Sequence, residues 1–136
     1  MHKLDNYDPW EHAAHLGFTI ERGTLSSTNH DAETYLDARL ILVRPDLDWR
    51  GTRGAIAHEN VHIEYGDRPV THPLEHSRRE ARCDRIAAER LIDPAKLARI
   101  MLENSDPGTW CTELGVTARL LRTYLRRHPE LTRTPA

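Results

Sequence analysis

"GAIAHENVHIEYGD", residues 54–67, carries two histidines four positions apart, His58 and His62, with Glu59 directly after the first. On an α-helix, side chains at i and i+4 lie one above the other on the same face. Both imidazoles can then turn toward one metal ion, and Glu59, about 100° round the helix, can lean over the open coordination position. This is the logic of the H-E-x-x-H motif: zinc makes water acidic near neutral pH, and the carboxylate takes its proton and passes it to a leaving amine. Chance competes with that reading. With nine histidines and eleven glutamates in 136 residues, a shuffled chain yields the motif about once in twenty. The flanks weigh against chance: Ala55, Ile56, Ala57, Val61 and Ile63 are apolar, so the helix is expected to be largely buried, where polar side chains need partners. Asp48 is placed to cap this helix before Trp49, and Gly66 to stop it after Tyr65.

A zinc ion needs one more protein ligand. The extended signature H-E-x-x-H-x-x-G-x-x-H is excluded, because Tyr65 and Arg68 stand where it needs Gly and His. The next helix, "PLEHSRREARCDRIAAERLI", opens at Pro73. Glu80, Asp84, Ala87 and Leu91 form one stripe on it, flanked by Cys83 and Ala88. Two acids on a small, apolar face are explained if Glu80 binds the metal and Asp84 accepts the spare ring N–H of a ligand histidine. The competing account makes "SRRE" a capping box, with Ser77 as N-cap and Glu80 as its reciprocal acceptor. Asp84 would then pair with Arg82, Arg85 or Arg53 at the surface. His76 and then His72 are the next candidates for third ligand. Cys83 beside the site can bind metal or oxidise, or serve as a small packing residue.

The rest of the chain supplies the scaffold. "DPWEHAAHLG" (8–17) reads as a short helix capped by Asp8, "FTIER" (18–22) as a strand, and residues 23–31 as a Gly/Ser/Thr/Asn loop. "TYL" (34–36) and "ARLILV" (38–43) read as further strands, ended by Pro45. After Pro94 everything looks helical: "AKLARIMLEN", "TWCTELG" and "VTARLLRTYLRRH". The order helix, strands, helices implies a single α+β domain, with residues 1–94 as the core and 95–136 as a helical extension. A net charge of −2 exerts no global pull on nucleic acid or membrane, and two cysteines are too few for a disulfide framework or a cysteine-built zinc site. "MHKLDNYDPW" has no apolar leader core, so a cytoplasmic, membrane-free location is the expectation.

"AIAHENVH", a short loop, and "EARCDRIAAERLI", together with the upstream "YDPWEHAAHLGFTIERGTL", resemble the ImmA/IrrE metallo-endopeptidases of phages, prophages and other mobile elements. The resemblance spans residues 7–94. It implies a zincin-like fold, a small and mostly antiparallel sheet against the active-site helix. It implies zinc (or manganese) on His58, His62 and Glu80, Glu59 as general acid/base, and helix-turn-helix repressors as substrates. The chain departs from the pattern at Asn60 and Val61, where small or Leu-Gly pairs are usual, and at Cys83, where Ala is usual.

Two expectations concern substrate. A zinc peptidase presents an extended backbone to the metal, so "ARLILV" or the neighbouring "TYL" is expected to line the cleft and pair with the substrate strand. Tyr35 or Tyr65 is the candidate hydrogen-bond donor to the developing oxyanion. In the C-terminal part, "ELGVTARLL" has a helix-turn-helix look, and residues 113–136 carry five arginines against two glutamates. The plainer account packs Leu114, Val116, Leu120, Leu121, Tyr124 and Leu125 on the core and leaves the arginines in solvent. For the chain as a whole the first reading is an enzyme, a zinc endopeptidase, since a purely metal-binding role does not need Glu59. The alternative is a non-catalytic regulator of the same fold that docks protein or DNA through these helices.

Overall fold

A computed structural model describes residues 7–133. Helix α1 spans Pro9–His15, and the Asp8 carboxylate accepts the backbone N–H groups of Trp10 and Glu11. Gly17, at φ 87°, turns the chain into β1, Thr19–Arg22. Strand β2 is Ala32–Tyr35 and β3 is Leu40–Val43. Helix α2 (Trp49–Tyr65) is capped by Asp48 and ends at Gly66. Helix α3 runs Pro73–Leu91, α4 Pro94–Glu103, α5 Pro107–Leu114 and α6 Ala118–Arg127. Asp93, Asp106 and Thr117 cap the last three through their side-chain oxygens. The class is α+β, and no helix among the described residues is long and apolar enough to cross a membrane.

The sheet corrects the expected topology. Its order is β1-β3-β2, with β1 parallel and β2 antiparallel to β3, so it is mixed rather than mostly antiparallel. The reason lies in composition. "LILV" is the one strand apolar enough for the centre, with Ile41 and Val43 fully buried, whereas β1 and β2 are part-polar and suit the edges. The "TYL" strand also ends earlier than expected: the chain turns through Leu36–Arg39, with Arg39 at φ 52°.

Helix α2 lies between two hydrophobic clusters. Ala55 and Ile56 join Ala13, Phe18, Ala32, Ile41 and Val43 on the sheet side. Ala57 joins Ala87, Leu91, Leu97, Leu120 and Tyr124 on the helical side. The C-terminal helices thus share a core with α2 and α3. Gly54 makes this possible: a Cβ there would come within 2.9 Å of a Leu120 methyl. The six apolar residues from Leu114 to Leu125 take the packing role, and all but the partly buried Leu125 are in this cluster.

Candidate metal centre

The polar residues of α2 are the ones the core does not absorb. Thr52, His58, Glu59 and Asn60 are its buried polar residues, among small and aliphatic neighbours. Asn60 is spent on structure: its amide donates to Pro9 O at 3.0 Å and Tyr7 Oη at 3.2 Å, fastening α2 to the start of α1. His58 and Glu59 face a cleft of about 770 Å³, which His62, Glu80, Thr34 and Tyr35 also line.

Helix α3 starts at Pro73 with His72 as its N-cap, so Ser77 is not a cap and Glu80 sits in the helix interior. There its carboxylate lies between the two histidines, Oε1 3.1 Å from His58 Nε2 and Oε2 2.8 Å from His62 Nε2. The opposite ring nitrogens are also committed to acids. His58 Nδ1 is 2.7 Å from Asp84 Oδ1, and His62 Nδ1 is 2.9 Å from Asp67 Oδ2. Asp84 in turn binds Arg119 of α6, and Asp67 binds Arg82. Asp67 reaches His62 because Gly66, at φ 64°, reverses the chain immediately after α2.

This donor set fits a divalent cation. Ionised carboxylates only accept, so with these acids ionised the ring nitrogens donate, which favours the imidazolium form of both histidines. The two protons on Nε2 supply the charge that one divalent ion would supply at the same point. Each ring's Nδ1–H would keep its carboxylate if Nε2 bound a metal, the arrangement typical of histidine ligands. The titration behaviour follows. Burial opposes protonation of His58, but Asp84, Glu80 and Glu59 override it and raise the ring to about 10. Burial also opposes protonation of His62, and Cys83, Glu80, Glu59 and Asp67 raise it to about 11. Against the effect of burial, the two rings hold the Glu80 carboxyl well below its usual range.

Glu59 behaves differently. Burial raises its pKa, partly offset by His58, the Thr34 hydroxyl and His62. Thr34 on β2 donates to Glu59 Oε1 at 2.6 Å and holds the carboxylate beside the histidines.

The remaining candidates fall outside this cluster. His72 uses Nδ1 to accept the Leu74 N–H. His76 lines the cleft on the exposed part of α3. Tyr35 is at the cleft with its hydroxyl on Glu33 Oε1 at 2.9 Å. Tyr65 is not among the lining residues. It is more than half exposed, with the Arg82 guanidinium 3.9 Å above its ring. The strand expectation is also narrowed. Central β3 has both edges filled, and the strand on the cleft is β2, through Ala32, Glu33, Thr34 and Tyr35. Thr34 and Asp67 are the site residues that the motif did not point to. Asp67 had one signal, an acid just after the helix-ending glycine.

One ring nitrogen of each histidine and Cys83 Sγ also lie within 4.8 Å of one another, a second possible ligand set. Glu80 is not part of that group, but its carboxylate meets both Nε2 atoms. Comparison with protein-family models, curated proteins and solved structures gave no match. The likeness to ImmA/IrrE enzymes accordingly rests on the motif residues themselves.

Proposed function

We propose that the chain is a zinc-dependent endopeptidase of the zincin-like type, acting on a protein substrate of the helix-turn-helix repressor class. The observation that carries this reading is the convergence of both Nε2 atoms on the Glu80 carboxylate, with Glu59 buried beside them. His58, His62 and Glu80 would hold the metal. Zinc bound there supplies Lewis acidity that polarises a peptide carbonyl and makes water acidic near neutral pH.

The chain's own residues do the rest. Asp84 and Asp67 fix the two rings so that Nε2 points into the cleft. Glu59 would accept the proton of the attacking water and return it to the leaving amine, and burial raises its proton affinity. Thr34 orients the carboxylate. β2 is an edge strand whose outer side can pair with an extended substrate, aligning a scissile bond alongside Glu59. The substrate class comes from the motif likeness alone. A second reading, a non-catalytic regulator docking protein or DNA through α6, draws on exposed Arg122, Arg126 and Arg127.

Glu59→Gln separates the two. It preserves shape but cannot take a proton, so the variant should keep its metal and fail to cut a cognate helix-turn-helix repressor. Cleavage that survives the change, or wild-type protein that binds the repressor without cutting it, would favour the second reading.

A further inference from the structure

The two cysteines are both buried and sit in different surroundings. Cys111 belongs to the helical core cluster, among Leu97, Leu114 and Leu121. Cys83 is fully buried yet belongs to neither hydrophobic cluster. Polar groups lie beside it: an Arg82 guanidinium nitrogen 3.6 Å from Sγ, and a ring nitrogen of each of His58 and His62, these two and Sγ all within 4.8 Å of one another. A cysteine kept for packing alone resembles Cys111, not this.

We propose that Cys83 is a fourth protein donor to the centre, closing it in the resting protein as a His58–His62–Glu80–Cys83 set. The inference rests on the metal reading above and concerns the regulation of that site. The geometry is within reach. Zinc bonds of about 2.0–2.1 Å to nitrogen and 2.3 Å to sulfur put tetrahedral donors about 3.3–3.6 Å apart. One ring nitrogen of each histidine and Cys83 Sγ already lie within 4.8 Å of one another, close to that spacing. Glu80 and Cys83 are one turn apart on α3, so a single helix face presents both to the histidines of α2. On binding, the thiol loses its proton to solvent and sulfur joins as thiolate. The class of ion such a set takes is the borderline-soft d10 cation, zinc or cadmium, over magnesium or calcium.

The functional consequence is latency. Structural zinc centres use four protein ligands, whereas catalytic ones keep a position open for water and substrate. With Cys83 bound, that position is filled, and peptide chemistry waits until sulfur leaves. An alanine at position 83 opens it permanently.

The test uses full-length protein loaded with cobalt(II), whose thiolate complexes absorb intensely in the near ultraviolet. Wild type should show this charge-transfer band at one cobalt per chain. Cys83→Ala should take up one cobalt and lack the band, while Cys111→Ala should retain it. A loaded wild type without the band overturns the inference and leaves the metal centre standing. A band that survives in Cys83→Ala also overturns it, by assigning the sulfur to Cys111. If neither wild type nor Cys83→Ala takes up cobalt, the metal reading itself fails and this inference falls with it.

Discussion

Asp84 is where the account can be pressed hardest on magnitude. Its carboxylate meets His58 Nδ1 at 2.7 Å, its side chain is only 20% exposed, and Arg119 holds its other oxygen side. A hydrogen bond to a charged group contributes about 1.5–3 kcal/mol. If that bond fixes the ring for metal binding, its loss weakens the metal by roughly 10- to 150-fold, which overlaps the 10–100-fold cost usual for removing a partner of a ligand histidine. Asp84→Ala should therefore lower zinc affinity by about one to two orders of magnitude. Asp84→Asn should lower it less, because the amide oxygen still accepts the ring N–H. Competition against a chromophoric chelator at fixed pH measures both. Unchanged affinity in Asp84→Ala would refute the reasoning and make Asp84 an ordinary partner of Arg119.

Two further outcomes follow from other parts of the molecule. Glu33 accepts hydrogen bonds from the Ser26 hydroxyl and backbone N–H, from Tyr35 and from His30; against burial, these lower its pKa from 4.5 to about 2. A depressed carboxyl stabilises the fold above its unfolded value of 4.5, and that contribution is lost as pH falls toward 2. Thermal unfolding of Glu33→Gln should consequently be less pH-sensitive than wild type across that window, and equal sensitivity would show that the 23–31 loop is not fastened by this acid. Replacing Arg122, Arg126 and Arg127 together with Ala should leave metal content unchanged and slow capture of an acidic protein partner at low salt. Tight duplex-DNA binding by wild type, steeply salt-dependent and lost in this variant, would make α6 a DNA-reading element instead.

The helices of the site were legible because their signals are local. Asp48 and Gly66 bound α2, Pro73 opens α3, and four-residue spacing pairs His58 with His62 and Glu80 with Asp84. The sheet was not legible. Which edge of β3 each strand takes is a long-range choice, made by burial of Ile41 and Val43 rather than by any neighbour in sequence. β2 was misplaced by a few residues because Leu36 looks like a strand residue, while Asp37 and Arg39 build the turn. The same non-locality hid Thr34: nothing near it in sequence shows that a strand hydroxyl will land 2.6 Å from Glu59. Tyr65 shows a different limit of spacing. It shares a helix face with the histidines, but it stands at the last turn, beyond the edge of the cleft.

Whether α2 and α3 together hold a metal ion is decided by metal content. Purified protein dialysed against zinc should hold one ion per chain by elemental analysis. His58→Ala and His62→Ala should each lose it, Glu80→Ala should bind it more weakly, and His76→Ala should keep it unchanged. A folded wild type that holds no zinc, or zinc that persists undiminished in both histidine variants, would contradict the account. Loss in His76→Ala with full retention in Glu80→Ala would show that the third ligand was assigned to the wrong turn of α3.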